Sequence, residues 1–100
     1  MAYTIQREEQ HLTLELRGGV TARDVGELAK SLASSLTSGA AVVVRGPELD
    51  DIDTSVLQML VSLRKTVASF AVEAPSEAFL SAAARCALQR ELLAAGKDAL

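Results

Sequence analysis

Two neighbouring hydroxyl side chains, Thr54 and Ser55, follow Asp53 where an acidic segment gives way to an apolar helical pattern. A hydroxyl at the start of a helix lies among unpaired backbone N–H groups, at the positive end of the helix dipole. The helix would tolerate a phosphate ester there, although its charge of roughly −1.5 to −2 would change the surface sharply. An ordinary helix start capped by Asp53 explains the same residue types without a kinase.

A cluster of acidic residues leads into this position. Four carboxylates lie within six residues: Glu48, Asp50, Asp51 and Asp53. Carboxylates at this density can bind a cation, but their spacing does not match the calcium-loop pattern D-x-[DN]-x-[DN]-G. We therefore expect a solvated acidic loop from Glu48 to Asp53, without a metal.

Other residues that could carry chemistry are few. His11 falls on the polar face of a predicted strand, and no Ser, Cys or Asp is placed to use it as a base. Cys86 lies in an alanine-rich helical pattern, which predicts a small buried hydrophobic residue. One His and one Cys cannot form the usual zinc site, and the phosphate-binding motifs G-x-G-x-x-G and G-K-[ST] do not occur. The sequence predicts no enzyme activity and no cofactor.

Composition places the chain among folded soluble modules. Its 100 residues suit a single domain spanning 1–100, and 49% hydrophobic residues can fill a sizeable core. A net charge of −3, with scattered basic residues, disfavours nucleic-acid binding and attachment to a membrane surface. No apolar run approaches the roughly 20 residues of a spanning helix, and the first ten residues lack a signal-peptide pattern. We expect a cytoplasmic protein.

Periodicity predicts two strands and a helix in the first part of the chain. Apolar and polar residues alternate over Tyr3 to Arg7 and over His11 to Arg17, which indicates a hairpin of half-buried strands. A helix follows Gly18-Gly19, with Thr21 as N-cap, an apolar stripe from Val25 to Leu36, and an end near Gly39.

The second part predicts two more strands and two or three helices. The strand Ala41 to Arg45 is apolar at successive positions, which indicates cover on both faces, and Gly46-Pro47 should end it. The helix capped by Asp53 carries an apolar stripe as far as Val67. A strand from Phe70 to Ala74 precedes a helix capped by Ser76. Whether the pattern up to Gly96 is one helix or two stays open, and the tail after it is expected to fray.

The element order is therefore β-β-α-β-α-β-α, with one more helix left open. Right-handed crossovers would make the later strands parallel. The sequence predicts an α/β fold in which helices pack against a mixed sheet of four to five strands.

At this level of detail the chain resembles the STAS domain, shared by anti-sigma-factor antagonists and the cytoplasmic tails of sulphate transporters. The likeness covers nearly the whole chain. It includes Gly18-Gly19-Val20-Thr21, the Val42-Val43-Val44 strand and Asp53-Thr54-Ser55-Val56-Leu57. In that family an Asp is followed by a phosphorylated Ser or Thr, a small residue, Gly and Leu. Val56 stands here in place of the Gly, and the short last strand of many members is not visible.

The resemblance implies a partner-switching regulator of the anti-sigma-factor-antagonist type. Carried over residue by residue, the phosphoacceptor is Thr54, with Ser55 as second choice. The partner is an anti-sigma factor that is also a Ser/Thr kinase, and phosphorylation ends the interaction. The implied partner-binding residues are Asp51, Asp53, Thr54, Ser55, Val56 and Gly19.

Other readings remain open on sequence grounds. STAS domains also serve as subunits of lipid-transport ABC complexes, where they bind the ATPase, and accompany chemotaxis kinases. An enzyme is the third class and lacks a nucleophile–base pair. A homodimer is left open.

Overall fold

The computed structural model describes residues 3–35 and 39–93. Four strands and four helices are found in this part of the chain. They are β1 (Tyr3–Glu8), β2 (His11–Val20), α1 (Ala22–Ser35), β3 (Ala41–Ile52), α2 (Thr54–Thr66), β4 (Ser69–Pro75), α3 (Glu77–Arg85) and α4 (Gln89–Leu93). The predicted order of elements is confirmed.

The strands form a single mixed sheet in the order β1-β2-β3-β4. β1 and β2 make the predicted hairpin and pair antiparallel, with Tyr3 opposite Leu16. β2 with β3 and β3 with β4 pair parallel, with Leu12 opposite Val42 and Val42 opposite Phe70. Helices α1 and α2 are the crossovers that parallel pairing requires. The α/β class and the mixed four-stranded sheet are therefore as predicted.

One face of the sheet forms the core. On β2, β3 and β4, the side chains that point to this face are almost fully buried: Leu12, Leu14, Leu16, Val42, Val44 and Phe70. They form one cluster with helix residues such as Leu28, Leu57 and Phe79. On the opposite face Ala41 and Val43 stay half-buried. The expectation that β3 is covered on both faces is thus wrong, because its valines alternate between a core face and a partly exposed face.

The sequence predicted that β3 ends at Gly46-Pro47, but the strand does not end there. It continues to Ile52, where it is opposite Val20, because the second half of β2 supplies its hydrogen-bonding partners. Register shifts within β2 accompany this extension. The predicted acidic loop from Glu48 to Asp53 is therefore mostly a strand, in which Leu49 and Ile52 are buried and the carboxylates are exposed.

On its other edge, β3 pairs with β4 only in its first half. Pairing with β4 ends where Gly46 lies opposite Pro75. After Pro75, β4 leads into α3, and this helix packs against β3. No additional strand is found among the described residues, so four of the predicted four to five strands are present.

Helix caps largely follow the sequence. Thr21 precedes α1, and its backbone N–H donates to Asp24 Oδ2 at 2.8 Å, the return bond of a capping box. Ser76 Oγ accepts from Phe79 N at 3.2 Å at the start of α3. After α1, Gly39 has φ +78°, and the predicted apolar residue Leu36 lies outside the described residues.

The C-terminal segment resolves into two helices. α3 ends at Arg85, and α4 begins at Gln89 after a turn in which Ala87 has φ 57°. Cys86 caps α3 and is half-buried, which corrects the expectation of a fully buried side chain. The predicted end at Gly96 and the tail after it lie outside the described residues.

Candidate functional site

The junction between β3 and α2 is fixed by Asp53. Its backbone N–H donates to Val20 O at 3.0 Å, which ties the junction to the end of β2. Its carboxylate Oδ1 accepts from Ser55 N at 2.9 Å and from Ser55 Oγ at 2.8 Å. The backbone donation from Ser55, followed by that of the hydroxyl, lowers the pKa of Asp53 below its ordinary value. Asp53 is the predicted N-cap, and it stays ionised at neutral pH.

The two candidate phosphoacceptors differ in how their hydroxyls are held. Thr54 is the first residue of α2 and is exposed, and its Oγ1 lies 3.6 Å from Cys86 Sγ. Ser55 is half-buried, and its hydroxyl proton is committed to the Asp53 carboxylate. A kinase would have to break a charge-assisted hydrogen bond to reach Ser55, but only a long contact with sulfur to reach Thr54. The geometry therefore ranks Thr54 first.

Exposed carboxylates precede Thr54 along the chain. Glu48, Asp50 and Asp51 lie on the last part of β3, and all three are exposed, as is Asp53. Asp51 is directly opposite Gly19 on β2, and Gly19 is also exposed. The structure thus brings four of the residues predicted to bind a partner to one surface: Gly19, Asp51, Asp53 and Thr54. We call these four residues and Glu48 and Asp50 the acidic end of the sheet.

Val56 belongs to the core instead. Its side chain is 0% exposed and lies in the hydrophobic cluster with Leu57 and Leu60. Val56 was implied to bind a partner, but its side chain is in the core and not on the surface, because its position on the first turn of α2 points it inward. Ile52 and Leu57, on either side of the start of α2, are buried as well.

The structure adds two features that sequence reasoning missed. Cys86 reaches the Thr54 hydroxyl from a position 32 residues away, which no local pattern could show. Leu80, on α3, is 41% exposed and is the exposed large hydrophobic residue of the described segments. The sequence predicted a helix capped by Ser76 that carries Leu80, but not that this side chain would be exposed. Leu80 is thus an apolar contact point on the surface of α3, the helix that packs against β3.

The other features to consider are His11, possible metal ligands and possible membrane spans. His11 is exposed on β2, as its strand parity predicted. In the segments 3–35 and 39–93, no group of three or more His, Cys, Asp or Glu side chains is arranged to hold a metal ion. None of the helices described is both long and apolar enough to cross a membrane.

Comparisons with known proteins leave the family open. No protein-family model matches the chain, and a search of the curated proteins finds no significant relative.

Proposed function

We propose that this protein is a non-enzymatic cytoplasmic regulator with a STAS-type fold. It binds a protein partner through the acidic end of the sheet and releases it when Thr54 is phosphorylated. The expected partner is an anti-sigma factor that is also a Ser/Thr kinase. The observation that carries the proposal is the contrast at the start of α2, where Thr54 is exposed while the neighbouring Ser55 hydroxyl is bonded to Asp53.

The chemical step is a phosphoryl transfer carried out by the partner. The Thr54 Oγ1 attacks the γ-phosphorus of ATP bound to the kinase, the bond to the β-phosphate oxygen breaks, and ADP leaves. The hydroxyl proton passes to a base of the kinase. This chain supplies only the acceptor, so a catalytic residue of its own is not required.

Electrostatics supports a switch of this kind. The ester adds roughly −1.5 to −2 charge beside Asp51 and Asp53, which are already exposed and negative. The backbone N–H groups at the start of α2 offset part of this charge within the chain. A partner fitted to a neutral hydroxyl would meet both added bulk and added negative charge. Release then needs no rearrangement of the core.

The decisive experiment is a comparison of Thr54 variants as bait. Tagged wild-type protein, Thr54→Val and Thr54→Glu are used to recover partners from the source cells, followed by mass spectrometry. Thr54→Val keeps the shape without the hydroxyl, and Thr54→Glu adds charge. We expect wild type and Thr54→Val to recover an anti-sigma factor that is also a Ser/Thr kinase, and Thr54→Glu to bind it at least about tenfold more weakly, or about 1.4 kcal/mol.

Phosphopeptide mapping with the recovered kinase completes the test. Label should appear on Thr54 in the wild type and in Ser55→Ala, and be lost in Thr54→Val. Label confined to Ser55, or equal binding by all three baits, would refute the proposal. Recovery of an ATPase together with a permease would instead favour the lipid-transport role, and recovery of a chemotaxis kinase would favour that signalling system.

A further inference from the structure

The outer edge of β1 is open in the described part of the chain. β1 lies at one end of the sheet, and β2 is its hydrogen-bonding neighbour there. Its outward backbone N–H and C=O groups form a row that another extended segment can pair with. Edge strands of this kind are common sites of strand addition.

A groove of about 390 Å³ lies beside this edge, between β1 and α1. Its helix side is made by Glu27, Ser31 and Ser35, which recur every four residues along one flank of α1. Serine side chains are short, so they leave the space above the strand edge unfilled. On the strand side, Tyr3 is buried and its hydroxyl donates to Glu27 Oε1 at 2.7 Å.

We propose that a second copy of this chain adds its own β1 to this edge, in antiparallel orientation with Ile5 on the two-fold axis. Tyr3 then lies opposite Arg7 of the second copy, and Thr4 lies opposite Gln6. Directly opposed residues of an antiparallel pair point to the same side of the sheet, so Tyr3 and Arg7 of the second copy share one face, and Thr4 and Gln6 share the other. The two four-stranded sheets become one sheet of eight strands.

Charge selects this register. Arg7 is exposed on the same face of β1 as Tyr3, two residues from Ile5. Opposed side chains start about 4.5–5.5 Å apart. Arg7 of the second copy therefore extends beside the Tyr3 ring to the Glu27 carboxylate that the Tyr3 hydroxyl holds in place. The two-fold symmetry repeats this pair, so the dimer contains two Arg7–Glu27 contacts. The half-buried Ile5 of one copy packs against Ile5 of the second copy.

The spacing of the helices fits the same arrangement. α1 contacts both β1 and β2, so it lies above the boundary between them. The two-fold axis then separates the two α1 helices by about two strand spacings, or roughly 10 Å. Packed helices lie about 8–10 Å apart when the contacting side chains are small. Ser31 and Ser35 provide such a surface on the flank that would face the second copy.

The expected association is weak. One six-residue strand and one helix flank provide an interface at the low end of known sizes, which implies a dissociation constant of about 0.1 mM. The dimer uses none of the residues of the acidic end of the sheet. Its test is therefore independent of the function proposed for Thr54.

Sedimentation equilibrium with charge-swapped variants tests the contact. The mean mass of the wild type should rise toward that of a dimer between roughly 10 μM and 1 mM. Arg7→Glu and Glu27→Arg should each weaken association at least about tenfold, and the double variant should restore it. Arg17→Glu, an equal charge change at an exposed position of β2, is the matched control and should behave as the wild type. A wild type that stays monomeric throughout, or equal behaviour of the Arg7 and Arg17 variants, overturns the proposal.

Cross-linking tests the register. In a Cys86→Ser background, Ile5→Cys should form an intermolecular disulfide under mild oxidation, because the two residues on the axis have Cα atoms within disulfide range. Gln6→Cys is the matched control and should cross-link far less, since it lies opposite Thr4 of the second copy. Preferential cross-linking through Gln6→Cys, or no cross-link from either variant in a concentration range where dimers form, would contradict the arrangement.

Discussion

The Thr54 hydroxyl oxygen lies 3.6 Å from the sulfur of Cys86, so the first residue of α2 contacts the C-cap of α3. The hydroxyl of Thr54 and the thiol of Cys86 therefore connect the start of α2 to the end of α3. A hydrogen bond between a hydroxyl and a thiol is weak, because sulfur is a poor donor and a poor acceptor. We expect this contact to orient the Thr54 side chain more than to stabilise the fold.

Thr54→Ala should consequently leave the domain folded. The side chain is exposed, and Asp53 rather than Thr54 caps the helix, so the free energy of unfolding should change by less than about 0.5 kcal/mol. Urea denaturation of Thr54→Ala and of the wild type measures this difference. A loss above about 2 kcal/mol would show that the side chain has a structural role and would remove the basis for assigning it a regulatory one.

Asp53 should make stability depend on pH at the acid end. Its pKa in the folded state is lowered, so its contribution is present above the ordinary value of about 3.9 and is lost as the pH falls through and below that value. Asp53→Asn keeps a side-chain acceptor for Ser55 N but cannot titrate. The difference in unfolding free energy between the wild type and Asp53→Asn should therefore shrink as the pH drops from 6 toward about 3. A difference that does not vary with pH would contradict the hydrogen-bonding assigned to Asp53.

Tyr3 should act at the alkaline end, with the opposite sign. Its hydrogen bond to Glu27, and then its burial, raise the pKa of the phenol above its ordinary value of about 10. The stabilisation is present below that value and is lost as the pH rises through the folded-state pKa, because the phenolate cannot donate and repels the carboxylate. Tyr3→Phe should be less stable by about 1 kcal/mol at pH 7, and this difference should diminish above pH 10. Thermal unfolding of both proteins across this pH range measures it; a constant difference would exclude the Tyr3–Glu27 bond as its source.

Local signals explain what the sequence predicted correctly. Alternation in β1 and β2, the caps at Thr21, Asp53 and Ser76, and the apolar stripe of α2 depend on residues close in the chain. Those features determine the ends and faces of elements whichever neighbours they find later. The position of Thr54 at the start of a helix could therefore be predicted without the fold.

Features that depend on distant partners were predicted less well. The second half of β3 has no simple alternation, because buried Leu49 and Ile52 are three residues apart and the register with β2 shifts. Its strand conformation is stabilised by pairing with Arg17 to Val20, which the sequence of β3 alone does not reveal. The Thr54–Cys86 contact and the exposure of the sheet face that carries Val43 likewise follow from packing between elements.

The last part of β2, where the register with β3 shifts, contains a matched pair of glycines for a final test. Gly18 has φ +59°, a conformation that a side chain disfavours, whereas Gly19 has no such restriction, and a Cβ at either position would meet no heavy atom within 4 Å. Gly18→Ala should therefore destabilise the domain by about 1 kcal/mol through backbone strain alone. Gly19→Ala should be neutral or slightly stabilising, since it restricts the unfolded chain without straining the folded one. Urea unfolding of the two variants measures the difference, and equal losses would mean that the register shift between Gly18 and Gly19, rather than the φ angle of Gly18, determines the cost.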